Sequence, residues 1–412
     1  MEEWKTYRLG DVVRIGSGLA YKADYLGHGD ALLLGMGCVS FTEKFLKKGA
    51  RPYCGESDER FRVNPGDIVL ATRQQSDNLP ILGMPAIIPE EYRGKRVIAG
   101  SNLYVVQNES EIDNRYLYWL LKTPQYISHI SSCKTGTTVR MITKKDVESF
   151  VFKCPGKELR SKIADLLWSI EDKIDINIRI NHNLEEQAQA LFKSWFVDFE
   201  PFKGSDFVDS ELGLIPEGWR VGTLSELGDI VAGGTPSKTK PEYYTNNGIA
   251  WLTPKDLSVK CNKFTARGEI DITEDGYKNS SAKLMPRGSV LFSSRAPIGY
   301  ISIAKGDICT NQGFKSVVPT YAGTAYLYYW LCENTEAIEA QASGSTFKEA
   351  SGSLMRSFPA LVPEKSVIDS FEKELSPILN EQEILEEEIN HAEQIRDSLL
   401  PRLMSGELVM NC

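Results

Sequence analysis

From Lys157 to Phe196 the sequence contains no glycine and no proline, and its apolar residues recur at helical spacing. At about 1.5 Å per residue, a continuous helix over this stretch is on the order of 60 Å long, more than one compact domain accommodates. Ile163, Leu167, Ile170, Ile174, Asn177, Asn181, Leu184, Ala188, Leu191 and Trp195 alternate by four and three, the spacing of a coiled-coil seam. Two asparagines fall on it, where buried amides fix register at a cost in stability. Ile174, Ile176, Ile178 and Ile180 also alternate by two, which leaves open a long helix packed only on its own domain.

A second such stretch runs from about Ser366 to Leu400, with Ile368, Phe371, Leu375, Ile378, Leu385, Ile389, Ala392 and Leu399 on one seam. Gln382 and Arg396 are its polar members, and Pro377 is expected to kink the helix or split off a short first segment. Each long stretch follows a copy of the same kind of segment. WKTYRL (4–9) is answered by WRVGTL (219–224), and PGDIVLATR (65–73) by RGSVLFSSR (287–295). The Tyr-Trp-Leu helix expected over 113–132 is answered by AYLYYWLCENTEAIEAQAS, and Gly136, Phe150 and Pro155 pair with Gly344, Phe358 and Pro363 at one constant offset. Strands and helices alternate within each copy, so each reads as a mixed α/β (α+β) domain.

The boundaries that follow are a domain over 1–155, a helix over 156–196, a linker over 197–216, a second domain over 217–363, a helix over 364–403 and a tail over 404–412. A pseudo-two-fold axis relating the copies makes the two helices antiparallel, a spacer between two heads.

The formal net charge of −9 is uneven. Residues 1–150 carry 20 Lys and Arg against 18 Asp and Glu, whereas residues 364–412 carry 4 against 12. The heads are near neutral, and the acidic second helix is not the part expected to meet phosphate. Eight scattered cysteines with no CxxC pair, and only four histidines, speak against zinc and for a reducing compartment. With no long apolar run and an acidic N-terminal MEEWKTYRLGDVV, a cytoplasmic location without a membrane span is expected.

Motifs for nucleotide triphosphate, methyl-donor cofactor, base methylation and nucleophilic catalysis are all missing. The short GSG at 16–18 reads only as a weak glycine turn. What recurs in both copies is a set of polar, amide-rich turns. The first copy has Arg73, Gln74 and Gln75, then Asn102, then Lys134, Thr137, Thr138 and Arg140. The second has Ser293 and Arg295, then Asn311, Gln312 and Lys315, then Ser345, Thr346 and Lys348. Arg pairs bidentately with guanine and Asn or Gln with adenine, while Lys, Ser and Thr serve phosphates. Singly these are ordinary turn and capping residues; as a matched set they point to double-stranded DNA.

The chain closely resembles the specificity subunit of type I restriction-modification systems. IPEGW (215–219), the GGTP turn (233–236), the turns at 136–138 and 344–346, LFKSWFVDFEPF (191–202) and RDSLLPRLMSGEL (396–408) carry the resemblance. The first copy lacks IPEGW and GGTP and keeps only Trp4. The resemblance implies two target recognition domains reading the halves of a split DNA site in the major groove, spaced by two long helices. It implies a subunit without catalysis or cofactor of its own. Two modification (methyltransferase) subunits and ATP-dependent restriction subunits would join it, bringing S-adenosylmethionine, ATP and Mg. Phe192, Trp195 and Phe196, an aromatic end on the first helix, are expected to dock the modification subunit. Heads hung on a stiff rod should meet half-sites about 34–36 Å apart, and the differing turns make those halves unlike. A stand-alone DNA-binding regulator would bind tightly without partners, and a coiled-coil adaptor would not need two elaborate heads.

Overall fold

The computed structural model describes residues 4–75, 80–259, 262–295, 297–344 and 348–408. The chain forms two compact units, one from the residues up to Ile174 with those from His391 onward, the other from Asp175 to Asn390. Each unit therefore holds one globular part and a portion of each long helix.

In the first unit, Val13–Ser17, Leu103–Asn108, Ile68–Ala71 and Pro85–Ile87 lie side by side as an antiparallel sheet. A second sheet orders Ala50–Tyr53, Leu26–Leu34, Val97–Ala99 and Arg62–Val63, with the middle pair parallel. Ile68 to Ala71 are buried on both faces, as a continuous apolar run between two layers requires. A separate pair, Lys5–Arg8 with Val151–Cys154, ties the start of the copy to its end.

The helix expected over 113–132 is two helices, Asn114–Leu120 and Pro124–Cys133. Asp113 caps the first by accepting from Arg115 N at 2.7 Å. Thr123 caps the second through Tyr126 N at 3.3 Å, with Pro124 in its first turn. Proline lacks the N–H that would continue the first helix, so the chain restarts there.

The second unit repeats this plan. Its sheet runs Gly228–Ala232, Lys315–Pro319, Val290–Ser294, Ile298–Ala304 and Phe264–Thr265. Arg220–Thr223 pairs with Pro359–Val362 as Lys5–Arg8 does with Val151–Cys154. The stretch expected as a linker holds a short turn, Glu200–Phe202, and a hairpin of Phe207–Ser210 with Gly213–Pro216. Phe199 and Phe202 lie against Trp219, with ring centroids 5.7 and 4.9 Å apart.

The first long helix is Lys157–Phe196 and the second Lys365–Ser405. The split expected as one alternative at Pro377 does not occur, the helix running unbroken through it. Pro377 is exposed, and one missing N–H is outweighed by Phe371 and Leu375, which bury fully in the turns just before it. Of the two phases open for the first helix, the four–three seam is the buried one. Ile163, Leu167, Ile174, Asn177 and Ala188 are buried, while Ile176, Ile178 and Ile180 are exposed.

Within the second unit the helices run antiparallel. Asn177 Nδ2 donates to Glu388 Oε2 at 2.9 Å, Gln382 Nε2 to Glu185 Oε2 at 3.0 Å, and Phe192 and Phe196 pack on Phe371. The buried seam residues Asn177 and Gln382 are thus paired, as a low-dielectric seam demands, whereas the buried Oδ1 of Asn181 has no hydrogen-bond partner among the described residues. Several carboxylates of the acidic second helix have structural roles in this unit. Glu386 accepts from Lys263 N and Phe264 N at 2.8 and 3.1 Å, and Glu372 from Tyr326 N at 2.8 Å. Lys263 in turn reaches Glu185, Gln382 and the Tyr329 hydroxyl, which ties one loop to both helices.

In the first unit, Lys122 is buried beside Tyr118, whose hydroxyl is 3.2 Å away. Burial pushes its pKa down to about 8, against the partial support of Glu171. The folded pKa then lies below the unfolded value of about 10.4. Between those values the unfolded chain holds a proton that the folded chain does not, so the Lys122 contribution to stability rises as pH increases from about 8 to 10. Relative to Lys122→Met, the wild-type chain should gain stability over that window in denaturant titrations. A difference independent of pH would show an ordinary lysine pKa.

Candidate nucleic-acid interface

In each unit three turns, far apart in sequence, are laced together by backbone hydrogen bonds, and the lacing is the same in both. In the first unit Thr72 N donates to Asn102 O (3.1 Å) and Ile142 N to Thr72 O (3.3 Å), and Thr135 and Met141 exchange a pair of 3.0 and 2.9 Å. In the second, Ser294 N donates to Gly313 O (2.8 Å) and Ala350 N to Ser294 O (2.9 Å), and Ser343 and Glu349 exchange a pair of 3.3 and 2.9 Å. The strand end, the amide-rich turn and the glycine turn therefore converge on one face of each unit. In the first unit this makes a small ladder in which Met141 pairs with Arg73 and Arg140 with Gln74.

A fourth turn joins them. Gly233 N donates to Phe314 O at 3.3 Å and Gly234 N to Thr310 O at 2.8 Å. The first unit has no GGTP, yet Gly18 N donates to Leu103 O at 3.0 Å and Leu19 N to Ala99 O at 2.7 Å. A Cβ on Gly18 would stand 2.0 Å from Gly100 O, and one on Gly233 would stand 2.0 Å from Asn311 O. The GSG at 16–18 is thus the structural counterpart of the GGTP turn. Both need glycine because a neighbouring backbone passes where a side chain would sit. The motif letters missing from the first copy concealed this.

Side chains on these faces divide into two groups. Arg73, Gln75, Lys134, Thr137 and Thr138 are exposed in the first unit, and Gln312 and Lys348 in the second. Asn102 and Arg140 are half-buried, the latter donating to Gly136 O at 2.5 Å. Arg295 is half-buried, with Nη1 3.7 Å from Glu349 Oε2.

The others point inward. Gln74 is buried and its Oε1 accepts from Leu82 N at 3.3 Å. Ser293 is buried, donating to Pro297 O at 2.9 Å and accepting from Tyr300 N at 2.7 Å. Asn311 Oδ1 accepts from Gly313 N at 2.8 Å, an intraloop bond that shapes the turn. Lys315 is mostly buried and lies 3.2 Å from Glu349 Oε1. Gln74, Ser293 and Lys315 therefore depart from the expected role, because polar groups buried under a turn bond within the fold. Ser345 and Thr346 lie outside the described residues.

Phe192 and Phe196, expected as a docking surface, are buried, and Trp195 is half-buried. Phe192 and Phe196 are buried among Tyr326, Tyr329, Phe371 and Trp219, and Trp195 packs on Phe371 and Phe202. Their apolar area closes the core of the second unit, where the helix end meets its globular part. Among the described residues no helix is long and apolar enough to cross a membrane.

The type I restriction modification DNA specificity domain model matches residues 1–186 and 216–394. The Haemophilus influenzae type I restriction enzyme HindI specificity subunit is 26% identical over 475 aligned positions, covering 99% of this chain and all of that one. The MjaIX specificity subunit of Methanocaldococcus jannaschii is 36% identical over 192 positions, 44% of each chain. In fold, the chain is similar to a crystal structure of the type I restriction-modification S subunit from M. genitalium. The TM-score there is 0.62 at 14% identity, covering 100% of this chain and 97% of the other.

Proposed function

Because the chain belongs to the type I restriction-modification DNA specificity family, whose domain model matches both of its copies, we propose that the two laced turn clusters are its DNA-reading faces. Its role is that of a sequence-specificity subunit, and the finer assignment places one half of a bipartite, asymmetric site on each cluster. The identical backbone lacing of the two clusters carries this reading: one scaffold is kept twice while the exposed side chains on it differ. Arg73, Gln75, Arg140 and Gln312 are suited to base edges, and Lys134, Thr137, Thr138 and Lys348 to phosphates.

Catalysis belongs in this reading to partners, two modification subunits using S-adenosylmethionine and restriction subunits using ATP and Mg. The absence of every nucleotide, methyl-donor and nucleophile motif from the sequence supports it. Exposed Ile176 and Ile180, one turn apart on one face of the first helix and 46% and 43% accessible, are the surface proposed for the modification subunit. Replacing Ile176 and Ile180 by Ser should abolish co-purification with that subunit while circular dichroism stays unchanged. Full recovery of the complex would move docking elsewhere.

DNA reading is tested in the assembled enzyme. Gln312→Ala should cost about 1–3 kcal/mol and relax one position of one half-site. Lys348→Ala should weaken binding evenly across sequences and lower the slope of log affinity against log salt by about 0.9. If neither changes affinity, salt dependence or the methylated motif, the turn clusters are not the DNA face.

A further inference from the structure

We propose that Glu349 is a base-reading residue of the second unit, accepting a hydrogen bond from an exocyclic amino group in the major groove, and that Met141 holds the same position in the first unit. This rests on the assignment of the turn clusters to DNA. The two residues occupy one backbone position: Met141 exchanges its hydrogen-bond pair with Thr135 as Glu349 does with Ser343, and each stands opposite the Arg of its strand end. Both are accessible, Met141 at 41% and the Glu349 side chain at 37%.

The carboxylate stands at the centre of a face that meets a polyanion. Against phosphate it would be repelled. Lys315 Nζ at 3.2 Å and Arg295 Nη1 at 3.7 Å compensate its charge. The trio still carries a net positive charge toward DNA, while the carboxylate oxygens can only accept. On the groove floor their match is an amino group. Cytosine N4 is favoured, because the amino group of adenine sits beside N7, an acceptor that would face the second carboxylate oxygen. Met141, apolar and uncharged, fits instead the thymine methyl group, the apolar feature of the same groove. One backbone position thus gives different base preferences in the two halves of the site.

The test uses the assembled modification complex, with initial methylation rates on duplexes carrying each base pair in turn at every position of the mapped site. Glu349→Ala should reduce discrimination at one C·G position of one half-site on the order of 5- to 150-fold, leaving the other half unchanged. Glu349→Gln, close in shape, keeps one acceptor oxygen for Lys315 or Arg295 and gains an N–H that can donate to adenine N7, so it should shift the preference there from cytosine toward adenine. A strengthened adenine preference in Glu349→Gln at a position already adenine would identify the partner as adenine N6, upholding amino-group reading. Unchanged discrimination in both variants, or a loss spread evenly over the half-site as from a merely buttressing residue, would overturn the proposal. Gln312→Ala and Lys348→Ala run alongside. If they act and the Glu349 variants do not, only this inference fails, whereas silence from all four removes the DNA assignment itself.

Discussion

Replacing Gly233 by alanine is expected to lower specific DNA binding by the assembled enzyme about 10³-fold or more, toward its non-specific level. The added Cβ would lie 2.0 Å from Asn311 O and 2.6 Å from Thr310 O, both backbone atoms that cannot swing aside. The turn must move, and with it go the bonds from Gly233 N to Phe314 O and from Gly234 N to Thr310 O. Those bonds set the segment that carries Gln312 onto the reading face. Gly18→Ala should do the same to the first unit, where the Cβ would meet Gly100 O at 2.0 Å. Each change is expected to erase base preference in one half of the recognition sequence and spare the other, as read by mapping methylated adenines. Gly306→Ala, with nothing within 4 Å of its Cβ, is the control. Full specificity in Gly233→Ala would separate this turn from DNA reading.

The second large effect is on stability. Arg396→Met should destabilise the first unit by about 3–5 kcal/mol, because it leaves Glu171 as an uncompensated buried charge. Glu171 is 1% accessible and Arg396 6%, and they meet at 2.8 Å, the guanidinium also reaching Asp397 at 2.9 Å. Each long helix contributes one partner, so the pair fixes the helices against each other where hydrophobic contacts alone would tolerate sliding. Changing both residues to Met should restore most of the loss, since the desolvation cost of both charges disappears together. Urea unfolding followed by circular dichroism measures this. A single variant as stable as wild type, or a double variant no better than the single one, would contradict the account.

Much of the fold was legible in the sequence because its governing features are local. A stretch free of Gly and Pro with a four–three apolar spacing becomes a helix in most surroundings, and the structure has it from Lys157 to Phe196. The polar seam positions Gln382 and Arg396 were equally visible as interruptions of a periodic pattern, and both are buried and paired. The repeat was legible because fixed spacing between Gly66 and Arg73, or Gly288 and Arg295, survives even where the intervening letters differ.

What the tertiary structure decided is which way each turn residue faces and what lies against it. Gln74 and Gln75 are chemically alike and adjacent, yet one is held inside by Leu82 N and the other is exposed. Phe192 and Phe196 read as a surplus aromatic end until Tyr326 and Phe371, well over a hundred positions later, are seen to cover them. Gly18 and Gly233 share a role that no motif letter records, because the constraint comes from a carbonyl about eighty residues away. Periodicity reports only the preferences of neighbours along the chain, whereas backbone bonds such as Thr72 to Asn102 and Ser294 to Gly313 join segments whose proximity arises only on folding. The helices and the repeat are therefore written in local spacing, and the reading faces exist only where distant turns are brought together.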